Sequence, residues 1–321
     1  MTPPAQSPAP SEVSLDAPTG DAANCPLCGG RFVLHLRNVQ DPLTRHAFGL
    51  LRCNACGLQR THPVPADLAP YYAEYHGARH GATARFCLRR RIRFLHDATR
   101  NRRPGFLLDI GCGDGSFLLA ARERGWQVMG TEFNPQLARH HGISVVTDLN
   151  AIHNSAVFNC ITLWHSLEHL SDPLAAMKRI RSLLAPDGVL LIAVPNSAGL
   201  QASLFGRRWF HLDVPRHLYH FSQPSLTALL QSTGFSPVGW HHQEFEYDLL
   251  GWPQSALNCL LSTPNVFFQQ LTGRTPQCST TEKFVSYVGG LTLTALAMPL
   301  VALGTALHRG GTLVVAARPV R

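Results

Sequence analysis

The stretch from Phe106 to Leu118 constrains this chain more than any other. An apolar run from Phe106 to Ile110 reads as a buried strand, it ends on Gly111, Gly113 and Gly115, and helical apolar spacing begins at Phe117, Leu118 and Ala121. Strand, glycine turn and helix start in that order build a ligand cradle. Glycine lets the backbone approach a ligand, and the first turn of the helix offers N–H groups with no partner inside the helix. A second short strand, Gln127 to Gly130, leads to Glu132, whose carboxylate is placed to accept hydrogen bonds from ribose hydroxyls. The third glycine follows the second after two residues rather than three, a departure from dinucleotide-binding spacing. A nicotinamide site and a purely structural turn are the alternatives to a different nucleoside ligand.

With Asp109 just ahead of the turn, the stretch resembles motif I of class I S-adenosylmethionine-dependent methyltransferases. The resemblance implies an α/β fold: a Rossmann-like, seven-stranded, doubly wound sheet with an antiparallel last strand. It implies S-adenosylmethionine as cofactor, held by Asp109, Gly111, Cys112 and Gly113, and by Glu132 and Phe133 after the second strand. A helix from Pro135 to His141 and a strand from Ile143 to Thr147 come next, ending at Asp148 and Leu149. By the same resemblance Asp148 accepts from the adenine amino group and Leu149 packs on the ring. Capping a turn is the competing role for Asp148.

Phe158 to Trp164 is the next core strand, and ligands in open parallel sheets bind at its carboxyl end. Ser171 or Asp172 caps a helix from Pro173 that buries Leu174, Met177, Ile180 and Leu184, and a turn at 185–188 leads into the strand Val189 to Val194. The run from Trp164 to Asn196 resembles small-molecule methyltransferases, including the ubiquinone-biosynthesis O-methyltransferases and many sugar and polyketide enzymes. It departs from them at Asn159, where Asp is usual, and at His165, where the ubiquinone enzymes carry a Glu that helps hold a divalent ion. Trp164 and His165 are expected to line the cofactor pocket. For His165, Glu168 and His169, hydrogen bonding of loop and cofactor is preferred to a shared metal.

A loop from Arg208 to Ser222, dense in histidine and aromatics, precedes a helix from Pro224 to Gly234. Methyl transfer from a sulfonium depends mainly on alignment, and a hydroxyl acceptor also needs a base near neutrality, which histidine suits. His217 is the first candidate for that catalytic role and His211 the second, with structural or substrate-contact roles as the alternative for each.

Cys25-x-x-Cys28-Gly29 and Cys53-x-x-Cys56-Gly57 form two knuckles separated by 24 residues. Two such knuckles complete a closed tetrahedral S4 site, the usual arrangement for structural zinc. A small N-terminal zinc ribbon over 24–62 follows, with Arg31 to Val39 and His46 to Arg52 as its strands. The nine cysteines lack the look of a secreted disulfide framework, and the Pro/Ala/Ser-rich stretch 1–23 has no apolar core, so it reads as a disordered tail in a reducing cytoplasm. Linker helices are expected over 63–103. Tyr71, Tyr72 and Tyr75 could cover the site, and Arg85, Arg89, Arg90, Arg91 and Arg93 are expected mostly in solvent. A formal charge of +8 makes anionic partners plausible.

The methyltransferase domain is assigned to 104–247 and 311–321, with an apolar helical insertion at 248–310. The strands flanking it, Phe235 to Phe245 and Gly311 to Arg318, are expected to pair. The uncharged run Phe284 to Leu307 is long enough to span a bilayer, but both flanking strands belong to one sheet. In-plane helices, peripheral on the inner face of the membrane, fit better, and burial in a homodimer or lid is the rival. The whole is read as O-methylation of a small-molecule, sugar or lipid-linked acceptor. An RNA methyltransferase is the alternative, though Trp164-His165-Ser166 replaces the Asn/Asp-Pro-Pro-Tyr of amino-group nucleic-acid methylases; a non-catalytic zinc-ribbon adaptor is another.

Overall fold

The computed structural model describes residues 23–72, 84–99 and 103–320. The expected tail at 1–22, and Tyr75, His76 and Arg79, lie outside the described residues. The chain opens with β1 (Phe32–Gln40), β2 (Ala47–Cys53) and β3 (Gln59–His62), followed by the short α1 (Ala69–Tyr72) and α2 (Ala84–Ala98). The alternating unit follows: β4 (Phe106–Ile110), α3 (Ser116–Arg122), β5 (Gln127–Thr131), α4 (Gln136–His140), β6 (Ser144–Val146), β7 (Phe158–Trp164), α5 (Pro173–Leu183) and β8 (Leu184–Pro195). Then come α6 (Leu200–Phe205), β9 (Tyr219–His220), α7 (Gln223–Ser232), β10 (Phe235–His241), α8 (Phe245–Leu260), α9 (Val266–Leu271), α10 (Thr280–Ala306) and β11 (Thr312–Pro319).

Seven strands form the main sheet in the order β10-β11-β8-β7-β4-β5-β6, and β11 runs antiparallel to both of its neighbours. The chain winds outward from β4 in both directions. The crevice therefore opens where β4 and β7 lie side by side, at their carboxyl ends. Near-continuous apolar residues in β4 and β7 fit strands covered on both faces. Leu108, Ile110, Ile161 and Leu163 pack on one face with Met177, Ile180 and Leu229; Leu107, Cys160 and Leu191 pack on the other with Phe117, Leu118 and Leu95. Asp172 caps α5, accepting from the Ala175 amide at 2.8 Å, a contact of about 1 kcal/mol.

The N-terminal strands do not form a free-standing module. Their sheet takes its fourth strand from the far side of the chain, in the order β1-β2-β3-β9, with Gln59 paired to His220 and Arg60 to Tyr219. A buried arginine adds a second tie: Arg216 donates to Asp41 at 3.0 Å and to the Tyr71 carbonyl at 2.8 Å, while its Nε bonds Asp213.

Three expectations need correction. The sixth core strand ends at His241 rather than Phe245, because the chain turns there and α8 starts at Phe245, drawing Glu244, Glu246 and Asp248 into the interior. Arg90 and Arg91 are not solvated: they pair with Glu246 and Glu244, and Arg91 also lies over the Trp164 ring. Ala23, assigned to the tail, is buried.

Candidate functional site

The glycine turn is built for close approach. Gly111 has φ 75, and a Cβ there would stand 2.7 Å from the Cβ of Ser166, whose hydroxyl donates to the Ile110 carbonyl at 2.6 Å. Gly113 has φ 57, and nothing lies within 4 Å of where its Cβ would be, so the space above the turn is open. Its amide donates to Glu132 Oε2 at 2.9 Å, and the Asn134 amide donates to Oε1 at 3.3 Å. Glu132 thus sits on the rim of the turn, beside the exposed ring of Phe133. Asp148 and Leu149 occupy the next strand end; Asp148 is exposed and caps a short turn by accepting from the Asn150 amide at 2.9 Å.

Other residues expected to meet the cofactor turn inward. Asp109 is buried and accepts from the Thr162 hydroxyl at 2.6 Å, and burial pushes its carboxyl up to about 7. The Cys112 side chain packs against Gly130, leaving only its backbone to the turn. Trp164 is a core residue between Phe94 and Phe117. Strand alternation explains the last case, since it sends Trp164 to the side occupied by α2 and α3.

His165 follows in the left-handed region, with φ 53, which throws its ring across the crevice. Its Nε2 lies 2.6 Å from Glu244 Oε2, its Nδ1 lies 3.6 Å from Glu168 Oε1, and its face stacks on Tyr247 at 4.1 Å. Burial alone would lower its pKa, but Glu244 and its neighbours raise it well above the ordinary value, in favour of the charged ring. Burial acts on Glu244 in the opposite sense and is also overcome: His165 and Arg91 hold that carboxyl down at about 2.

His217 is the neutral counterpart. Its Nδ1 lies 3.0 Å from the His211 carbonyl, so Nδ1 carries the proton and Nε2 presents a lone pair, 3.9 Å from Glu168 Oε1. Burial lowers its pKa to about 4. His211, likewise lowered to about 4 by burial, spends Nε2 on the Tyr247 carbonyl at 3.0 Å; this placement makes it a brace between the loop and α8. His165 does not share a ligand face with Glu168 and His169. Instead His217 joins them: one polar atom from each of Glu168, His169 and His217 falls within 4.8 Å of the others. Both oxygens of the buried Glu168 lack a hydrogen-bond donor. The His169 Nδ1 lies 2.9 Å from the Arg216 carbonyl, which leaves its Nε2 free as well.

The ribbon reaches this cluster directly. The Thr61 hydroxyl donates to the His217 carbonyl at 2.6 Å and lies 3.0 Å from His220 Nε2, and Tyr72 Oη lies 3.1 Å from His169 Nδ1. Its four thiols converge, with Cys25 and Cys56 sulfurs 3.6 Å apart and those of Cys28 and Cys53 3.4 Å apart. These spacings far exceed a disulfide bond and lie near the ~3.8 Å separation that four sulfurs adopt around tetrahedral zinc.

Sequence reasoning missed Glu244, Tyr247, Thr61 and Arg91 as contributors. A signal for the first two was present: Glu244, Glu246 and Asp248 alternate with aromatics directly after a core strand, where an ordinary strand end would carry solvated residues.

The methyltransferase-domain family profile matches residues 78–238. The chain is 30% identical over 145 residues to the ubiquinone biosynthesis O-methyltransferase of Xanthomonas campestris pv. campestris, covering 40% of this chain and 61% of that protein. It is 25% identical over 196 residues to the ubiquinone biosynthesis O-methyltransferase of Bordetella avium, covering 54% of this chain and 80% of the relative. Among solved structures, the 1,6-didemethyltoxoflavin-N1-methyltransferase of Burkholderia thailandensis superposes with a TM-score of 0.47 at 18% identity, covering 85% of this chain and 96% of that one. The chain thus spans about three fifths of the first relative's length. The profile takes in half of the sequence, including the whole run from the glycine turn to β10, and the strand order is that of the doubly wound sheet expected from the turn. On these grounds the chain belongs to the class I S-adenosylmethionine-dependent methyltransferases.

Proposed function

We propose that this protein methylates a hydroxyl oxygen on a small-molecule, sugar or lipid-linked acceptor. The observation that carries the reading is the placing of two imidazoles about one buried carboxylate, Glu168: His165, with Nε2 held by Glu244 at 2.6 Å, and His217, with Nδ1 spent on the His211 carbonyl and Nε2 facing the crevice. The open turn at Gly113 and the rim carboxylate of Glu132 fit a ribose-bearing ligand. Bound there, S-adenosylmethionine supplies a sulfonium-activated methyl group. The residues of the chain then have two tasks, alignment and proton removal. Gly111 and Gly113 let the backbone come close, and Glu132 fixes the sugar. His217 Nε2 takes up the hydroxyl proton as the acceptor oxygen becomes an ether, and His165, already charged, does not compete for it.

The Cys25, Cys28, Cys53 and Cys56 thiolates fit a structural zinc ion, which would hold β2 and β3 behind the loop carrying His217. A second reading adds a divalent cation held by Glu168, His169 and His217, favoured by the orphaned Glu168 carboxylate and the two free imidazole nitrogens. A cation there would take over His217 Nε2 and lower the pKa of a coordinated hydroxyl.

The test is a cell-extract assay with methyl-radiolabelled cofactor and purified protein, fractionated into lipid, glycan, small-molecule and RNA pools. Label is expected in an alkali-stable methyl ether of the lipid, glycan or small-molecule pool. Label confined to RNA, or recovered as N-methyl product, would overturn the reading.

A further inference from the structure

Helix α10 is inverted relative to a soluble surface helix. The residues it buries against the body are small, namely Ser286, Gly290, Ala297, Val301 and Gly304, and at Gly290 a Cβ would stand 2.4 Å from the Phe267 ring. Its large apolar residues face outward: Phe284 is 67% exposed, Leu296 62%, Leu307 54% and Leu291 50%, with Met298 and Leu303 close behind. No charged residue interrupts the run from Phe284 to Leu307. At 3.6 residues per turn the buried stripe takes up only a narrow sector, and exposed apolar side chains sweep roughly 220° of the circumference. Apolar patches this large on a soluble protein mark a surface that something covers.

The shape of the exposed arc decides between occupants. A second copy seats one face of a helix and leaves the rest in water, whereas an acyl layer closes over a protruding helix from every open side. The helix is also held lengthwise. Near its start, Glu282 accepts from the Thr263 amide at 2.7 Å; past its end, Arg309 donates to Ser203 Oγ at 2.8 Å. Contacts from Ser286 to Gly304 would have to be stripped for it to cross a bilayer, so it lies in the plane of the surface it meets. Cations border it: Lys283 precedes the apolar run and Arg309 follows it.

We infer that α10, bordered by Lys283 and Arg309, docks the protein in-plane on an anionic phospholipid surface. Apolar burial supplies the attachment, and these cations select negatively charged headgroups. The inference is independent of the methyl-transfer reading, because lipid binding and cofactor binding are measured separately.

The experiment is vesicle co-flotation of the full-length, zinc-loaded protein. It compares phosphatidylcholine vesicles with vesicles containing about one third phosphatidylglycerol, alongside light scattering without lipid. Binding is expected to the anionic vesicles and to weaken as salt rises. Leu291→Glu with Leu303→Glu should lower the partition coefficient at least about tenfold while the circular dichroism spectrum and calorimetric S-adenosylmethionine affinity stay unchanged. These residues are half exposed, so the pair should fold. Lys283→Glu should reduce binding to anionic vesicles and leave any weak binding to phosphatidylcholine as it was. Failure to float with either vesicle, or a lipid-free dimer broken by Leu291→Glu with Leu303→Glu and unable to float, would overturn the inference.

Discussion

The two halves of the crevice are made in different ways. The half proposed for the cofactor is local: Gly111, Gly113 and Glu132 lie within two adjacent βα units, the Gly113 amide meets Glu132 at 2.9 Å, and the Gly111 amide donates to the Thr131 carbonyl at 2.9 Å. The half proposed for the acceptor is assembled from four distant segments, namely Thr61 of the ribbon, His165 to His169 after β7, the loop His211 to His220, and Glu244 with Tyr247 at the start of α8. Local sites are held by the fold of a short stretch and outlast damage elsewhere. An assembled site depends on each segment keeping its place, so its geometry is sensitive to changes far from the chemistry.

That contrast is broken most directly at His217. If the acceptor half supplies the proton acceptor and the cofactor half only binds, His217→Ala should lower kcat by about 10²–10⁴-fold with S-adenosylmethionine affinity within twofold of the parent. Calorimetry for affinity and initial rates for turnover check it. Loss of both together would mean that the halves are one unit. Glu132→Ala is the mirror experiment. Removing a carboxylate placed for two ribose hydroxyls should weaken cofactor binding by roughly 10–100-fold and leave thermal stability nearly unchanged, since Glu132 sits on the rim.

Removing the metal proposed for the four thiolates sharpens the comparison further. Thr61 and β3 brace His217 and β9 from behind, and Arg216 ties the same loop to Asp41 and Tyr71. Chelation with a strong zinc ligand should therefore raise the acceptor KM, or lower kcat, about tenfold or more, while cofactor affinity changes little. A protein that keeps full acceptor turnover after losing the metal would show that the ribbon is an appendage.

The same division governs what the sequence could disclose. Glycine spacing, the acid after the second strand and the two cysteine knuckles are short-range patterns with a mechanical reason, and the fold class follows from them. His217 could be singled out by residue type and loop position. Its partner Thr61 could not, because 156 residues separate the two and nothing in strand β3 advertises a contact with a histidine carbonyl. The misplaced residues have the same origin. Trp164 is aromatic and sits at a strand end, but which face it takes depends on where α2 packs; Arg91 looks solvated in a run of arginines until Glu244 is brought to it.

The smallest effect expected concerns an acid that the sequence places against the cofactor and the structure buries beneath the turn. Asp109 has a folded-state pKa raised to about 7, mainly by burial, from an ordinary value of 3.8. A raised carboxyl pKa means that the folded protein binds the proton more tightly than the unfolded chain does. The stabilisation from this neutral acid is complete below about pH 4 and drains away as pH climbs through 7. Asp109→Asn keeps an oxygen for the Thr162 hydroxyl and never ionises. Its melting temperature should therefore run close to that of the parent below about pH 4, pull ahead between pH 4 and 7, and hold a constant lead above pH 8. That lead corresponds to at most a few kcal/mol. A lead that does not vary with pH would mean that Asp109 is ionised throughout, held so by Arg91, and the acid would then belong with the charged residues of the acceptor half.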